Sequence, residues 1–126
     1  MSRGRKPPSQ RQLRVAKLVR EALGEAFVAR RVELPEVDVA TVSVMEVDIS
    51  PDLKQAKVYV RPLLASQKEG LTEALNAHAG HVRHAIAPAL RNLKYMPRLR
   101  FVLDTAADHA AHIDKLLKQV RGQDGD

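Results

Sequence analysis

The sequence of 126 residues contains no cysteine. That excludes a disulfide framework and any thiolate-held metal centre, and it suits a reducing compartment such as the cytoplasm. No stretch approaches the roughly 20 apolar residues that span a bilayer, so no membrane role is expected. The opening MSRGRKPPSQ is basic but lacks an apolar stretch, so it does not read as a secretory signal. Aromatic residues are scarce: Phe27, Tyr59, Tyr95 and Phe101 are the whole set. Sheet-surface stacking on bases needs paired aromatics at exposed strand positions. Catalytic signatures are missing as well, with no Gly-x-Ser-x-Gly, no Walker A and no His-Glu-x-x-His. The expectation is a non-enzymatic chain with no cofactor and no small-molecule substrate.

What is present is positive charge, unevenly placed. The formal net charge is +6. Residues 1–31 hold nine Lys/Arg against Glu21 and Glu25, a local balance of +7. Residues 32–126 balance at −1, so the whole excess belongs to the N-terminal quarter. A second basic cluster lies in 74–103, where Arg83, Arg91, Lys94, Arg98 and Arg100 occur with no acid. Acid-poor clusters favour a polyanionic partner, since each neutralised phosphate releases counterions. Ordinary solvated surface charge is the competing account, but it does not require the acids to be absent.

The length suits one domain with loose ends. MSRGRKPP (1–8) reads as a disordered basic arm, and Ser9 as a helix cap. From Arg11 to about Val32 the pattern is an amphipathic helix, with Val15, Leu18, Val19, Ala22 and Ala26 on the packed side. VDVATVSVMEVDIS (37–50) alternates as a strand, with Val37, Val39, Met45, Val47 and Ile49 in one phase. Val42 and Val44 fall in the other phase, so either both faces are partly covered or a bulge shifts the register. SPDL (50–53) is turn chemistry, with Asp48 and Asp52 flanking it. QAKVYVRP (55–62) is a second strand, its Ala56, Val58 and Val60 inward. Ser66 to His78 reads as helix, Gly80 interrupts, and Val82, Ile86, Ala89, Leu90 and Leu93 then recur at helical spacing. RLRFVLD (98–104) is a third strand. A last helix over 105–120 carries Ile113, Leu116, Leu117 and Val120, and 121–126 frays. The order predicts an α+β domain over 9–104: a three-stranded sheet with helices on one face.

Within NAHAGHVRHAIAPALRNL (76–93) the helical pattern is broken. Gly80 permits a sharp change of direction. A KH-type RNA module places its backbone-clamping GXXG loop in this region, and this chain has no GXXG there. The expected feature is a rigid kink at His78-Ala79-Gly80. Pro88 then bends or delays the following helix.

Four stretches, RQLRVAKLVREAL (11–23), VMEVDISPDLKQAKVYV (44–60), HAGHVRHAI (78–86) and MPRLRFVLD (96–104), resemble the bacterial ribosome-binding factor A family. The resemblance runs in order over roughly 10–117. It implies a KH-like domain of type II order, with a helix–kink–helix in place of the GXXG loop and an extra C-terminal helix. It also implies a monomeric cytoplasmic partner of the 30S ribosomal subunit that assists maturation of 16S rRNA. The family writes its kink Ala-x-Gly; here the glycine is kept and the first alanine is His78.

The candidate RNA-binding residues are Arg11, Arg14, Lys17 and Arg20 on the first helix, and Arg83, Arg91, Lys94, Arg98 and Arg100 near the kink and third strand. Their expected role is positioning phosphates. Arg3, Arg5 and Lys6 could trail along the RNA backbone. Tyr59 falls in the outward phase, where it either covers sheet surface or offers a face to a base. His81 and His84 are three apart, as are His109 and His112. A metal site needs three or four ligands, so these read as surface histidines. Asp104 reads as a strand-end or capping residue. A rival reading is a protein-interaction module that docks a partner through its sheet face or C-terminal helix.

Overall fold

The computed structural model describes residues 7–105. Three helices, α1 (Gln10–Val28), α2 (Leu71–Ala77) and α3 (Ala79–Ile86), pack on a sheet of β1 (Val42–Ile49), β2 (Gln55–Pro62) and β3 (Arg98–Leu103). The sheet order is β1-β2-β3, with β1 antiparallel and β3 parallel to β2. This is the expected α+β, KH-like order. The basic arm's first six residues and the C-terminal helix predicted over 105–120 fall outside the described residues, apart from Thr105.

Ser9 does start α1. Its hydroxyl accepts from the Gln12 N–H (3.1 Å), and its own N–H donates to Gln12 Oε1 (2.8 Å), a complete capping box. Gln12 Nε2 also donates to the Ile49 carbonyl at 2.8 Å, which fastens the start of α1 to the end of β1. The buried stripe is Val15, Val19, Ala22, Leu23, Ala26 and Phe27. Leu18, expected in it, is 37 % exposed. At 3.6 residues per turn it sits roughly 100° from the centre of that stripe.

The far end of α1 closes without glycine. The Arg31 N–H donates to the Ala26 carbonyl (2.8 Å) and the Arg30 N–H to that of Phe27 (3.2 Å), a Schellman pattern with Arg30 at φ 52°. A left-handed arginine costs about 1 kcal/mol. Arg30 is held there by two hydrogen bonds to Asp38, each 3.1 Å. That contact holds the Asp38 carboxyl below the ordinary carboxylate range, with help from the Ala40 N–H. Asp52 is lowered likewise, first by the Ser50 hydroxyl and then by the Lys54 N–H. Both groups therefore favour the fold above the ordinary aspartate pKa, and that contribution is lost as pH falls through their lowered values.

The ambiguous phase of β1 resolves into a bulge. Val44 pairs with Val60 and Glu46 with Tyr59, so Met45 is the extra residue. Val42 is then buried on the same face as Val47 and Ile49. The inward residues of all three strands meet α1, α2 and α3 in one core. Among the described residues helices cover that face only, and Lys57, Arg98 and Arg100 are exposed on the other.

The region of the predicted kink differs in detail. The helix expected from Ser66 begins only at Leu71, after a 3-10 turn (Ala65–Gln67) and Gly70 at φ 75°. Gly70 is the glycine whose left-handed backbone is required. The break itself is at His78, which ends α2 and opens α3 with φ −115° and ψ 21°. His78 Nε2 lies 3.4 Å from Glu36 Oε1. Gly80 is inside the first turn of α3, with open space where a Cβ would project. Pro88 does stop the α-helix: α3 ends at Ile86 and a 3-10 turn, Ala87–Leu90, follows.

Two polar contacts secure β3. Its outer edge at Phe101 is satisfied by Asn76, which donates to the carbonyl and accepts from the N–H, both at 2.8 Å. Where β3 ends, the Asp104 N–H donates to the Val60 carbonyl (2.8 Å), and Arg61 Nη2 donates to Asp104 Oδ2 at 3.0 Å. The Asp104 side chain is 1 % exposed.

Candidate nucleic-acid interface

The basic residues meet at one pole of the domain. The Gln12–Ile49 bond places the start of α1 beside the β1–β2 turn. The Arg98 N–H donates to the Lys54 carbonyl at 2.8 Å, which places the start of β3 beside the same turn. Ile49 pairs with Ala56 and Ala56 with Leu99, so β1 and β3 are two strand spacings apart there, about 10 Å. Arg11 and Arg14 therefore stand on the helix layer, and Lys54, Lys57, Lys94, Arg98 and Arg100 on the turn and the outward sheet face, around a single end. Lys57 and Arg100 are register partners on the outward face. Arg11, Arg14, Lys17, Arg98 and Arg100 form no salt bridge with a described residue.

Not every candidate joins this pole. Lys17 trails away from it along α1, and Arg20 lies farther still. Arg91 is exposed and turns back on the Pro88 carbonyl at 3.2 Å. Arg83 is half-buried, and its guanidinium donates to the carbonyls of Met96 (2.7 Å) and Pro97 (3.0 Å). It fastens the approach to β3. Tyr59 is buried, so it covers sheet surface and offers no free face to a base; Lys57 Nζ lies 5.4 Å from its ring centre. The charge count also overstates the N-terminal cluster. Arg30 pairs with Asp38, and Arg31 with Glu25 at 2.7 Å.

Lys54 and Lys57 were missing from the sequence reading. Each sits in a stretch where acids are nearby, so no local charge run marks them. The parallel pairing of β2 with β3 brings them beside Arg98 and Arg100. A signal did exist in the alternation of QAKVYVRP, which already put Lys57 outward.

The opposite pole is acidic. A cleft of about 510 Å³ there is lined by Glu36, Asp38, Glu69 and Glu73 over Val37 and Leu71, among others. The domain is thus a charge dipole, which orients it in the field of a polyanion. Among the described residues no group of three or more His, Cys, Asp or Glu could hold a metal ion. No described helix is long and apolar enough to cross a membrane.

Comparison with known proteins places this geometry in a lineage. The family model for ribosome-binding factor A matches residues 11–117. The chain belongs to the ribosome-binding factor A family. The ribosome-binding factor A of Chelativorans sp. is 46 % identical over 111 residues, covering 88 % of this chain and 83 % of the relative. That of Mesorhizobium japonicum is 48 % identical over 111 residues, covering 88 % and 76 %. Among solved structures, a Thermotoga maritima protein described as a putative ribosome binding factor A aligns with TM-score 0.62 and 27 % identity, over 82 % of this chain and 94 % of that one. A Thermus thermophilus ribosome binding factor A, fitted as a homology model into a cryo-EM map of a 30S complex, aligns with TM-score 0.54 and 28 % identity, over 69 % and 88 %. Ribosome-binding factor A proteins are non-enzymatic.

Proposed function

We propose that this chain is a ribosome assembly factor that binds free 30S subunits through its basic pole and assists maturation of 16S rRNA. The observation that carries this is the convergence of Arg11, Arg14, Lys54, Lys57, Lys94, Arg98 and Arg100 at one end of a ribosome-binding factor A domain. Side chains of this kind position phosphates and carry no base code. A factor of this sort needs no catalytic group. It holds one rRNA conformation more tightly than others, and so shifts the population towards that conformation until the matured particle no longer fits it. The chain acts as a cytoplasmic monomer on this reading.

The test is sedimentation through a sucrose gradient at low and high salt. The protein is expected to travel with free 30S particles and not with 70S ribosomes, and to leave them at high salt. Contact with six or more phosphates makes affinity fall steeply with ionic strength. Migration at the top of the gradient under both conditions would sink the proposal.

A second reading draws on the acidic cleft. Its carboxylates over an apolar floor suit a basic peptide segment, which would make the domain a protein-docking module. Co-migration with 30S that survives charge removal at the basic pole, yet is lost when Glu69 and Glu73 become glutamine, would favour it.

A further inference from the structure

Phe27 and Phe101 are 1 % exposed and Tyr59 is 8 % exposed, whereas Tyr95 is 46 % exposed. Tyr95 is therefore the one aromatic ring that this domain offers to solvent, and it stands within the basic pole. Two ammonium groups lie over its ring in cation–π contact. Lys54 Nζ, from the β1–β2 turn, and Lys94 Nζ, from the preceding residue, each lie 5.6 Å from the ring centre. The backbone under the ring is fixed. Arg83 donates to the Met96 and Pro97 carbonyls, and Pro97 is itself buried.

We propose that Tyr95 is the stacking platform for one unpaired nucleobase, with Lys54 and Lys94 holding the phosphates on either side of it. Every base has a π-face, so the site takes a base without reading its identity. A base within a continuous duplex has no free face, so the ligand is a single-stranded or looped-out nucleotide. Arg83 acts here as a positioning residue that fixes the segment carrying the ring. The proposal rests on the RNA-binding reading of the basic pole, and it adds a non-electrostatic contact to it.

The probe is a single-stranded oligoribonucleotide of about ten nucleotides carrying 2-aminopurine, with a fully paired duplex as control. Wild-type protein is expected to quench the 2-aminopurine emission. Tyr95→Ala abolishes the quenching and binds the single strand about tenfold more weakly with an unchanged salt slope. Tyr95→Trp retains both properties. Lys94→Ala keeps the quenching but lowers the salt slope by about one phosphate contact. Tyr95 is exposed, so its truncation spares the fold, and the circular dichroism of Tyr95→Ala should match the wild type. Wild-type binding to the single strand with no change in Tyr95→Ala overturns this inference alone. An equal loss on single strand and duplex also overturns it. Wild-type protein that binds neither probe overturns the RNA-binding reading together with it.

Discussion

Replacing Lys54, Lys57, Arg98 and Arg100 together by glutamine lowers affinity for free 30S particles by on the order of 10²- to 10³-fold at about 0.1 M salt. It also reduces the slope of log affinity against log salt by about three. The reasoning starts from position. All four side chains are exposed, on a turn or on outward strand positions, and none packs in the core. Their removal therefore acts on binding and not on folding. Arg98 and Arg100 have no salt bridge with a described residue to compensate for, so their full charge is available to phosphate. Glutamine preserves length and polarity, which isolates the charge. The matched control is Glu69→Gln with Glu73→Gln at the acidic cleft, for which the affinity is expected to stay within twofold or rise slightly, as two repelling charges are removed. Equilibrium binding to purified 30S over a salt series measures both. An unchanged slope in the fourfold variant would place the contact elsewhere.

Arg61→Met destabilises the fold by about 2 kcal/mol. The pair it breaks is asymmetric: the Arg61 side chain is 46 % exposed and that of Asp104 is 1 % exposed. If the carboxylate were removed, the arginine could rehydrate where it stands. If the arginine is removed, a buried carboxylate loses its salt bridge to a described residue at the point where β3 leaves the sheet. Taking a cation away from a buried carboxylate is the more costly change. Methionine preserves much of the stem packing, so the loss reports the guanidinium. Arg61→Lys keeps a cation but not the planar donor geometry, and about 1 kcal/mol is expected for it. Urea unfolding at neutral pH checks the order Met worse than Lys. A change below about 0.5 kcal/mol in Arg61→Met would mean that other donors hold Asp104.

Much of this fold was readable because it depends on short-range rules. Ser9 with Gln12 is a capping pair, and the alternation of 55–62 and 98–104 gave inward and outward faces directly. What failed depended on contacts between distant segments. Leu18 obeys the helix period well enough to be counted inward, but the stripe that meets the sheet is centred on Val19 and Ala22. Within the stretch His78-Ala79-Gly80 expected to hold the kink, the break falls at His78, beside Glu36 from the loop before β1, and not at the glycine. Gly70, passed over, carries the left-handed backbone. Arg83 looked like a free cation until the chain before β3 was placed against it. The site was half legible for the same reason. Charge runs revealed Arg11, Arg14, Arg98 and Arg100, while Lys54 and Lys57 join them only through strand pairing.

The absence of cysteine makes the decisive experiment clean, since any introduced thiol is unique. Gln55→Cys places one at the basic pole, next to Arg98 in the sheet, without removing a charge. Glu69→Cys places one at the rim of the acidic cleft. Each variant, loaded with a tethered iron–EDTA cleaver and bound to 30S particles, reports which rRNA lies within reach of its pole. The account predicts focused cleavage of 16S rRNA from position 55 and little or none from position 69. Strong cleavage from position 69 with none from position 55 would contradict it, and would put the acidic cleft against the particle instead.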